Sequence, residues 1–211
     1  MFTTLINLEK DKKRLEDFNK LYNEQNLENI FGKINRFDAI NGYDIEIPDY
    51  WLTPNGTDHH VTKQGTYGCF LSHYTIIKNF IDSSYEILTV FEDDAGFINN
   101  FTEEFNNFYD NIPDNWEMLY LGFTTNRYPG PPKFINEYCY KTVSVNTTIS
   151  YMLNKTGANN LLTLLNENIK KGKNLPIDIQ LCHWQDSQKI YQPNKRIVRP
   201  NQNAKISNIY K

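Results

Sequence analysis

Short apolar stretches alternate along the chain with stretches in which apolar residues recur at helical spacing. Buried strands are predicted where β-branched, aromatic and other apolar residues cluster, over 3–8, 33–40, 85–91, 116–121 and 144–153, with a final strand pair over 189–197. Amphipathic helices are predicted over 11–21, 66–80, 102–109 and 157–168. This alternation predicts an α/β sandwich with a mainly parallel central sheet.

Two stretches lack either pattern. Residues 48–63 contain Asn55-Gly56 and few periodic apolar positions, so we expect a loop that contributes to an acceptor groove. Residues 126–134 include Pro129-Gly130-Pro131-Pro132 and are predicted to form a surface loop.

Three carboxylates, Glu92, Asp93 and Asp94, follow the strand predicted over 85–91. Open α/β sheets bind ligands at the carboxyl ends of their strands. Adjacent carboxylates raise one another's pKa unless a cation or hydrogen-bond donors join them. Mn²⁺ or Mg²⁺ would do so and would also neutralise a diphosphate. A solvated strand end is the alternative interpretation.

Glu92 and Asp94 are separated by one residue, so both can face one metal ion. We predict Asp94 as a direct ligand and Glu92 as a direct or water-mediated ligand. Asp93 is expected either to point towards a ribose or to cap a turn.

The segment that precedes this strand is Gly65-Thr66-Tyr67-Gly68-Cys69-Phe70-Leu71-Ser72-His73, which suggests a glycine-punctuated loop leading into a helix. The order of loop, helix, strand and acidic triplet resembles glycosyltransferase family 25, which contains lipooligosaccharide and procollagen galactosyltransferases. The positions that fit are Gly65, Gly68, Cys69, Leu71, Ser72, His73, Glu92, Asp93 and Asp94. Weaker matches extend over most of the chain, at 5–14, 37–42, 116–122, 150–158 and 175–178.

The resemblance implies one GT-A-like domain over residues 1–211. A nucleotide-sugar and metal half would cover about 1–125, and an acceptor half with a basic tail about 126–211. It further implies inverting transfer of a sugar, galactose being favoured, from a UDP-sugar to a hydroxyl of a glycan or collagen-like acceptor.

By the same resemblance, Asn7 and Arg14 lie near the nucleotide and Gln202 lies near the site. Ser72 and His73 are candidates for contact with the donor sugar or diphosphate, with core packing as the alternative for His73. Lys78 is either a phosphate partner or solvated.

Inverting transfer requires a general base to accept the proton of the acceptor hydroxyl. Asp178, which follows Pro176 in a P-x-D element, is the candidate. Its alternative role is to cap a helix over 179–184. His183 is a weaker candidate, either as a metal ligand or as a core residue, and packing beside Trp184 is favoured.

Bulk properties narrow the possible function classes. A net charge of −3 gives no general attraction to nucleic acid. We expect no membrane-spanning segment and no signal peptide. We also expect free thiols in a reducing compartment, either bacterial cytoplasm or the cytoplasm of a virus-infected host. The three cysteines share no metal-type spacing, and Cys69 is expected to be a small buried hydrophobe.

Two further function classes are weighed against a metal-dependent glycosyltransferase. A nucleotidyltransferase usually has a glycine-rich loop after its first strand, whereas the first glycine here is Gly32. A catalytically silent nucleotide- or glycan-binding module with the same fold stays open. A glycoside hydrolase also needs paired carboxylates, but needs neither a nucleotide-binding half nor a metal.

Overall fold

The computed structural model describes residues 1–51, 62–123, 131–172 and 175–201. Within these ranges the strands are β1 Phe2–Asn7, β2 Ile34–Asp38, β3 Ile87–Glu92, β4 Ala95–Phe97, β5 Met118–Gly122, β6 Lys133–Phe134, β7 Cys139–Lys141, β8 Ser150–Asn154, β9 Ile190–Pro193 and β10 Val198–Pro200. The helices are α1 Lys12–Glu24, α2 Glu28–Phe31, α3 Lys63–Ile81, α4 Phe101–Tyr109, α5 Lys155–Lys170 and α6 Ile177–Trp184, with short 3-10 turns at Gly42–Asp44 and Gln185–Ser187. None of the helices in these ranges is long and apolar enough to cross a bilayer.

All of these strands join one mixed sheet, in the order β2-β1-β3-β8-β5-β9-β7-β6, and β10 bridges β4 and β5. β1 is parallel to both β2 and β3, and β5 is parallel to β9. β8 runs antiparallel between β3 and β5. The predicted α/β class is therefore confirmed, and the carboxyl ends of β1, β2 and β3 share one edge of the sheet.

Helices cover both faces of the sheet, as the strand pattern requires. On one face, residues of α3, α5 and α6 such as Ile77, Leu161 and Leu181 pack against strand residues. On the other face, α1 and α4 contribute a largely aromatic layer that includes Phe18 and Phe105. Because both faces are buried, the central strands carry nearly continuous apolar runs instead of strict alternation.

The helix predicted over 66–80 is confirmed as part of α3, which begins at Lys63. The glycine-punctuated loop expected within the 65–73 segment is wrong, because the helix includes this segment. The Thr62 side chain caps this helix by accepting a hydrogen bond from the Gly65 backbone N–H at 3.0 Å. A Cβ added at Gly68 would lie 2.4 Å from the Ile40 carbonyl oxygen. Gly68 thus permits close helix packing and does not mark a turn.

Two other boundaries differ from expectation. The strand predicted over 144–153 is β8, which begins only at Ser150. The strand pair predicted over 189–197 is not formed within that stretch. It contains β9 and ends just before β10, and these two strands pair with other strands and not with each other. Most of the loop predicted over 48–63, and residues 126–130 of the loop predicted over 126–134, lie outside the described residues.

Candidate active site

A cleft opens at the edge of the sheet where β1, β2 and β3 end. Its walls come from the end of β1, the segment 39–43, the first half of α3 and the end of β3. Site residues predicted from sequence that line it are Asn7, Arg14, Ser72, His73, Glu92 and Asp93. The parallel pairing of β1 with β2 and β3 brings the ends of these strands together, because Ile6 is in register with Glu92 and Asn7 with Asp38.

Asp93 is held by two residues from the first helix–strand unit. The Asn7 side-chain amide donates to Asp93 Oδ2 at 2.7 Å, and Arg14 Nη2 lies 2.5 Å from Asp93 Oδ1. Arg36 in turn donates from Nε to Asn7 Oδ1 at 3.0 Å, which fixes the orientation of the amide. Burial raises the pKa of Asp93 to about 6, although Arg14 and Asn7 act in the opposite direction.

Asp94 is less well satisfied. Its Oδ2 lies 3.3 Å from Arg14 Nη2, whereas its Oδ1 is buried and has no hydrogen-bond partner among the described residues. Burial, followed by the charge of Glu92, raises the pKa of Asp94 to about 7. A buried carboxylate oxygen without a partner is costly, so this position favours a cation.

Glu92 has partners from two other elements. Its Oε1 accepts from Thr148 Oγ1 at 2.5 Å and lies 3.3 Å from His73 Nε2. The other ring nitrogen of His73, Nδ1, lies 2.9 Å from the Tyr151 hydroxyl. Burial raises the pKa of Glu92, but the hydrogen bonds from His73 and Thr148 and the charges of His73 and Arg14 outweigh it, so the net pKa is lowered.

The carboxylates at the end of β3 fit a hard divalent ion such as Mn²⁺ or Mg²⁺. Asp94 offers an unpartnered buried oxygen, and Glu92 is near enough for its charge to raise the pKa of Asp94. Among the described residues, the one group of three potential ligands whose ligand atoms converge is Cys69, His73 and Glu92, and it does not include Asp94.

Asp178 lies in the first turn of α6, and Pro176 occupies the capping position. Its Oδ1 accepts from the Ile179 backbone N–H at 2.9 Å, so the side chain does make a helix-start contact. Burial raises the pKa of Asp178; the charge of Glu92 raises it further, whereas the charge of His73 lowers it. Asp178 is not among the residues that line the cleft, but Glu92 and His73, which do line it, contribute to its electrostatic environment.

The remaining predicted residues differ in their placement. The Ser72 hydroxyl donates to the Gly68 carbonyl at 2.8 Å and accepts from the Ile40 N–H at 2.9 Å, so it braces the cleft wall. Lys78 is exposed in the last turn of α3 and does not line the cleft, which leaves its role as a phosphate partner without structural support. Gln202 lies outside the described residues.

Sequence reasoning missed Arg36, Thr148 and Tyr151. Thr148 and Tyr151 reach the site because β8 pairs with β3, and Val90 is in register with Tyr151. No local pattern marks such a pairing. Arg36 had a usable signal, since a charged residue within a predicted strand calls for a partner.

Comparison with known proteins agrees with this geometry. Residues 1–181 match the model of glycosyltransferase family 25, described as an LPS biosynthesis protein family. The chain therefore belongs to glycosyltransferase family 25.

Two relatives and one solved structure illustrate the range of similarity. Human procollagen galactosyltransferase 2 is 27% identical over 188 residues, which cover 82% of this chain and 28% of the relative. Mouse inactive glycosyltransferase 25 family member 3 is 33% identical over 66 residues, covering 30% of this chain and 11% of the relative. The crystal structure of a glycosyltransferase involved in glycosylation of the major capsid of PBCV-1 aligns with a TM-score of 0.40 at 14% identity, covering 79% of this chain and 68% of that one.

The chain thus spans under a third of the length of the human relative that it matches. Family membership agrees with the GT-A-type α/β fold predicted from the sequence.

Proposed function

We propose that the chain is a metal-dependent, inverting glycosyltransferase that moves a sugar from a UDP-sugar to a hydroxyl of a glycan or collagen-like acceptor. Galactose is the favoured sugar, because the human relative is named a procollagen galactosyltransferase. The observation that carries the proposal is the acidic triplet at the end of β3. Glu92 and Asp93 line the cleft, and the adjacent Asp94 has a buried Oδ1 without a hydrogen-bond partner among the described residues.

The donor would be held at the carboxyl ends of β1 and β3. Asp94 and Glu92 would hold Mn²⁺ or Mg²⁺, which when bound supplies Lewis-acid stabilisation of the departing diphosphate. Asn7 and Arg14 hold the neighbouring Asp93 carboxylate in place. Arg14 is placed to exchange part of its pairing with the carboxylates for a phosphate oxygen.

Asp178 is the proposed general base. A base near the donor must be deprotonated to accept the acceptor proton, and a raised pKa increases its basicity. Its Oδ1 is engaged by the Ile179 N–H, which fixes the rotamer and leaves Oδ2 for the acceptor hydroxyl.

A silent binding module with the same fold is the second candidate, favoured by the similarity to a relative named inactive. A cytoplasmic location, bacterial or viral, stays a proposal made from the sequence alone.

Thermal-shift measurements with a panel of UDP-sugars, with and without Mn²⁺, separate these candidates when combined with a donor-hydrolysis assay. Metal-dependent stabilisation by UDP and one UDP-sugar, with slow release of free sugar, supports the enzyme. Stabilisation without hydrolysis or transfer to any acceptor supports the silent module. No response to any nucleotide contradicts both nucleotide-binding proposals.

A further inference from the structure

Cys69 and His73 lie one helical turn apart on α3 and therefore project from the same face of the helix. This face meets the end of β3 at Glu92. The Cys69 sulfur, a ring nitrogen of His73 and a carboxylate oxygen of Glu92 all lie within 4.8 Å of one another. All three residues line the cleft, so an ion can reach them from solvent.

The orientation of the His73 ring suits metal coordination. Its Nδ1 lies 2.9 Å from the Tyr151 hydroxyl, which leaves Nε2 directed at Glu92 Oε1, 3.3 Å away. A histidine ligand commonly has its second nitrogen held by such a hydrogen bond. Two bonds of about 2.0–2.2 Å at a tetrahedral angle place nitrogen and oxygen ligands about 3.4 Å apart. The observed separation is close to that value.

The donor set also selects the kind of ion. Thiolate and imidazole ligands favour Zn²⁺ and similar borderline-soft ions, whereas Mn²⁺ and Mg²⁺ favour oxygen ligands. Three protein ligands would leave a fourth tetrahedral position open for water or another ligand.

We propose that Cys69, His73 and Glu92 form a second cation site, which binds a thiophilic ion such as Zn²⁺. Coordination displaces the Cys69 thiol proton to solvent. Glu92 belongs to both cation sites, so Zn²⁺ withdraws it from the Mn²⁺ position and antagonises Mn²⁺-dependent UDP binding. This antagonism rests on the proposed function, whereas Zn²⁺ binding does not.

The test uses the tag-free, metal-stripped chain with Zn²⁺ in calorimetry and Co²⁺ in absorption spectroscopy. We expect one equivalent to bind, with a thiolate-to-cobalt charge-transfer band in the near ultraviolet. Cys69→Ala should remove the band and weaken Zn²⁺ binding. Cys139→Ala, a matched change of a buried thiol in β7, should preserve both. Tyr151→Phe should weaken Zn²⁺ about 10–100-fold with the band retained.

Cys69→Ser gives a second, smaller change, and thermal melts confirm that each variant is folded. Asp94→Asn should keep Zn²⁺ binding while losing Mn²⁺-dependent UDP binding. Zn²⁺ affinity that is unchanged in folded Cys69→Ala, or that is lost in Asp94→Asn, would overturn the second site. An intact cobalt band in a protein that binds no nucleotide would instead leave this site standing and remove the proposed function.

Discussion

His73 Nε2 lies 3.3 Å from Glu92 Oε1, which joins the helix and the strand of the sequence motif. The Tyr151 hydroxyl is hydrogen-bonded to the other ring nitrogen of His73, and the Thr148 hydroxyl donates to Glu92. The Glu92 carboxylate is therefore held in place before any ligand binds. Such preorganisation is what a metal or phosphate site requires.

The close packing of Gly68 predicts an unusual response to alanine. At an open helical position Gly→Ala stabilises by roughly 1 kcal/mol, but here the added Cβ would lie 2.4 Å from the Ile40 carbonyl oxygen and 2.7 Å from the Gly42 nitrogen. We expect Gly68→Ala to destabilise by about 1–3 kcal/mol in urea unfolding. Asn79→Ala, at an exposed position on the same helix, is the control and should not destabilise. Equal stability of wild type and Gly68→Ala would contradict this packing.

Lys155 binds the backbone at the end of α3. Its ammonium donates to the carbonyl oxygens of Phe80, Ile81 and Ser83 at 2.6, 2.9 and 2.7 Å. Lys155→Met keeps the aliphatic stem but leaves these oxygens without their donor. We expect a loss of about 1–3 kcal/mol in the free energy of unfolding.

Lys171→Met is the matched control, because Lys171 pairs with the exposed Glu167 on the surface of α5. It should leave the melting temperature unchanged. A similar loss of stability in both variants would contradict a specific stabilising role for the three carbonyl contacts of Lys155.

The raised pKa values of Asp93 and Asp94 predict how stability depends on pH. Both values, about 6 and about 7, exceed the ordinary value of 3.8, so the folded state binds more protons between about pH 4 and pH 7. The metal-free protein should therefore lose stability as pH rises through this window. Mn²⁺ should reduce the loss, since it stabilises the ionised carboxylates.

Asp94→Asn should remove much of this pH dependence. At pH 8 without metal the variant should be more stable than wild type by about 2 kcal/mol or more, since one pKa unit corresponds to about 1.4 kcal/mol. At pH 4.5 the two should be nearly equal. Thermal melts across this range, with EDTA present, make the comparison. A stability curve that rises with pH in wild type would contradict the raised pKa values of Asp93 and Asp94.

Asp178→Asn is predicted to spare donor binding while lowering the transfer rate by about 10²–10⁴-fold, the usual contribution of a general base. Asp114→Asn, at an exposed carboxylate outside the cleft, is the control. In wild type the rate should rise with pH through the raised pKa of Asp178, because only the ionised form accepts a proton. A near-normal transfer rate in Asp178→Asn would contradict the role of general base and leave Asp178 only its hydrogen bond at the start of α6.

The parts of the site that the sequence predicted are local ones. The strand ending at Glu92 and the amphipathic helix before it follow from periodicity within single segments. Thr148 and Tyr151 could not be predicted, because they arrive through the antiparallel insertion of β8 between β3 and β5. The glycine pattern was misinterpreted for a related reason. A glycine is needed at position 68 because the backbone of Ile40 packs closely against it, and Ile40 is distant in sequence.

The central claim is that Asp94 completes a cation site that binds the diphosphate of a nucleotide. Calorimetric titration of UDP into wild type and Asp94→Asn, each with and without Mn²⁺, tests it most directly. Wild type should bind UDP tightly only with Mn²⁺. Asp94→Asn should lose about 100-fold or more of that affinity, since losing even a residue behind a metal ligand typically costs 10–100-fold. UDP affinity that is independent of Mn²⁺, or equal in both proteins, would contradict the account.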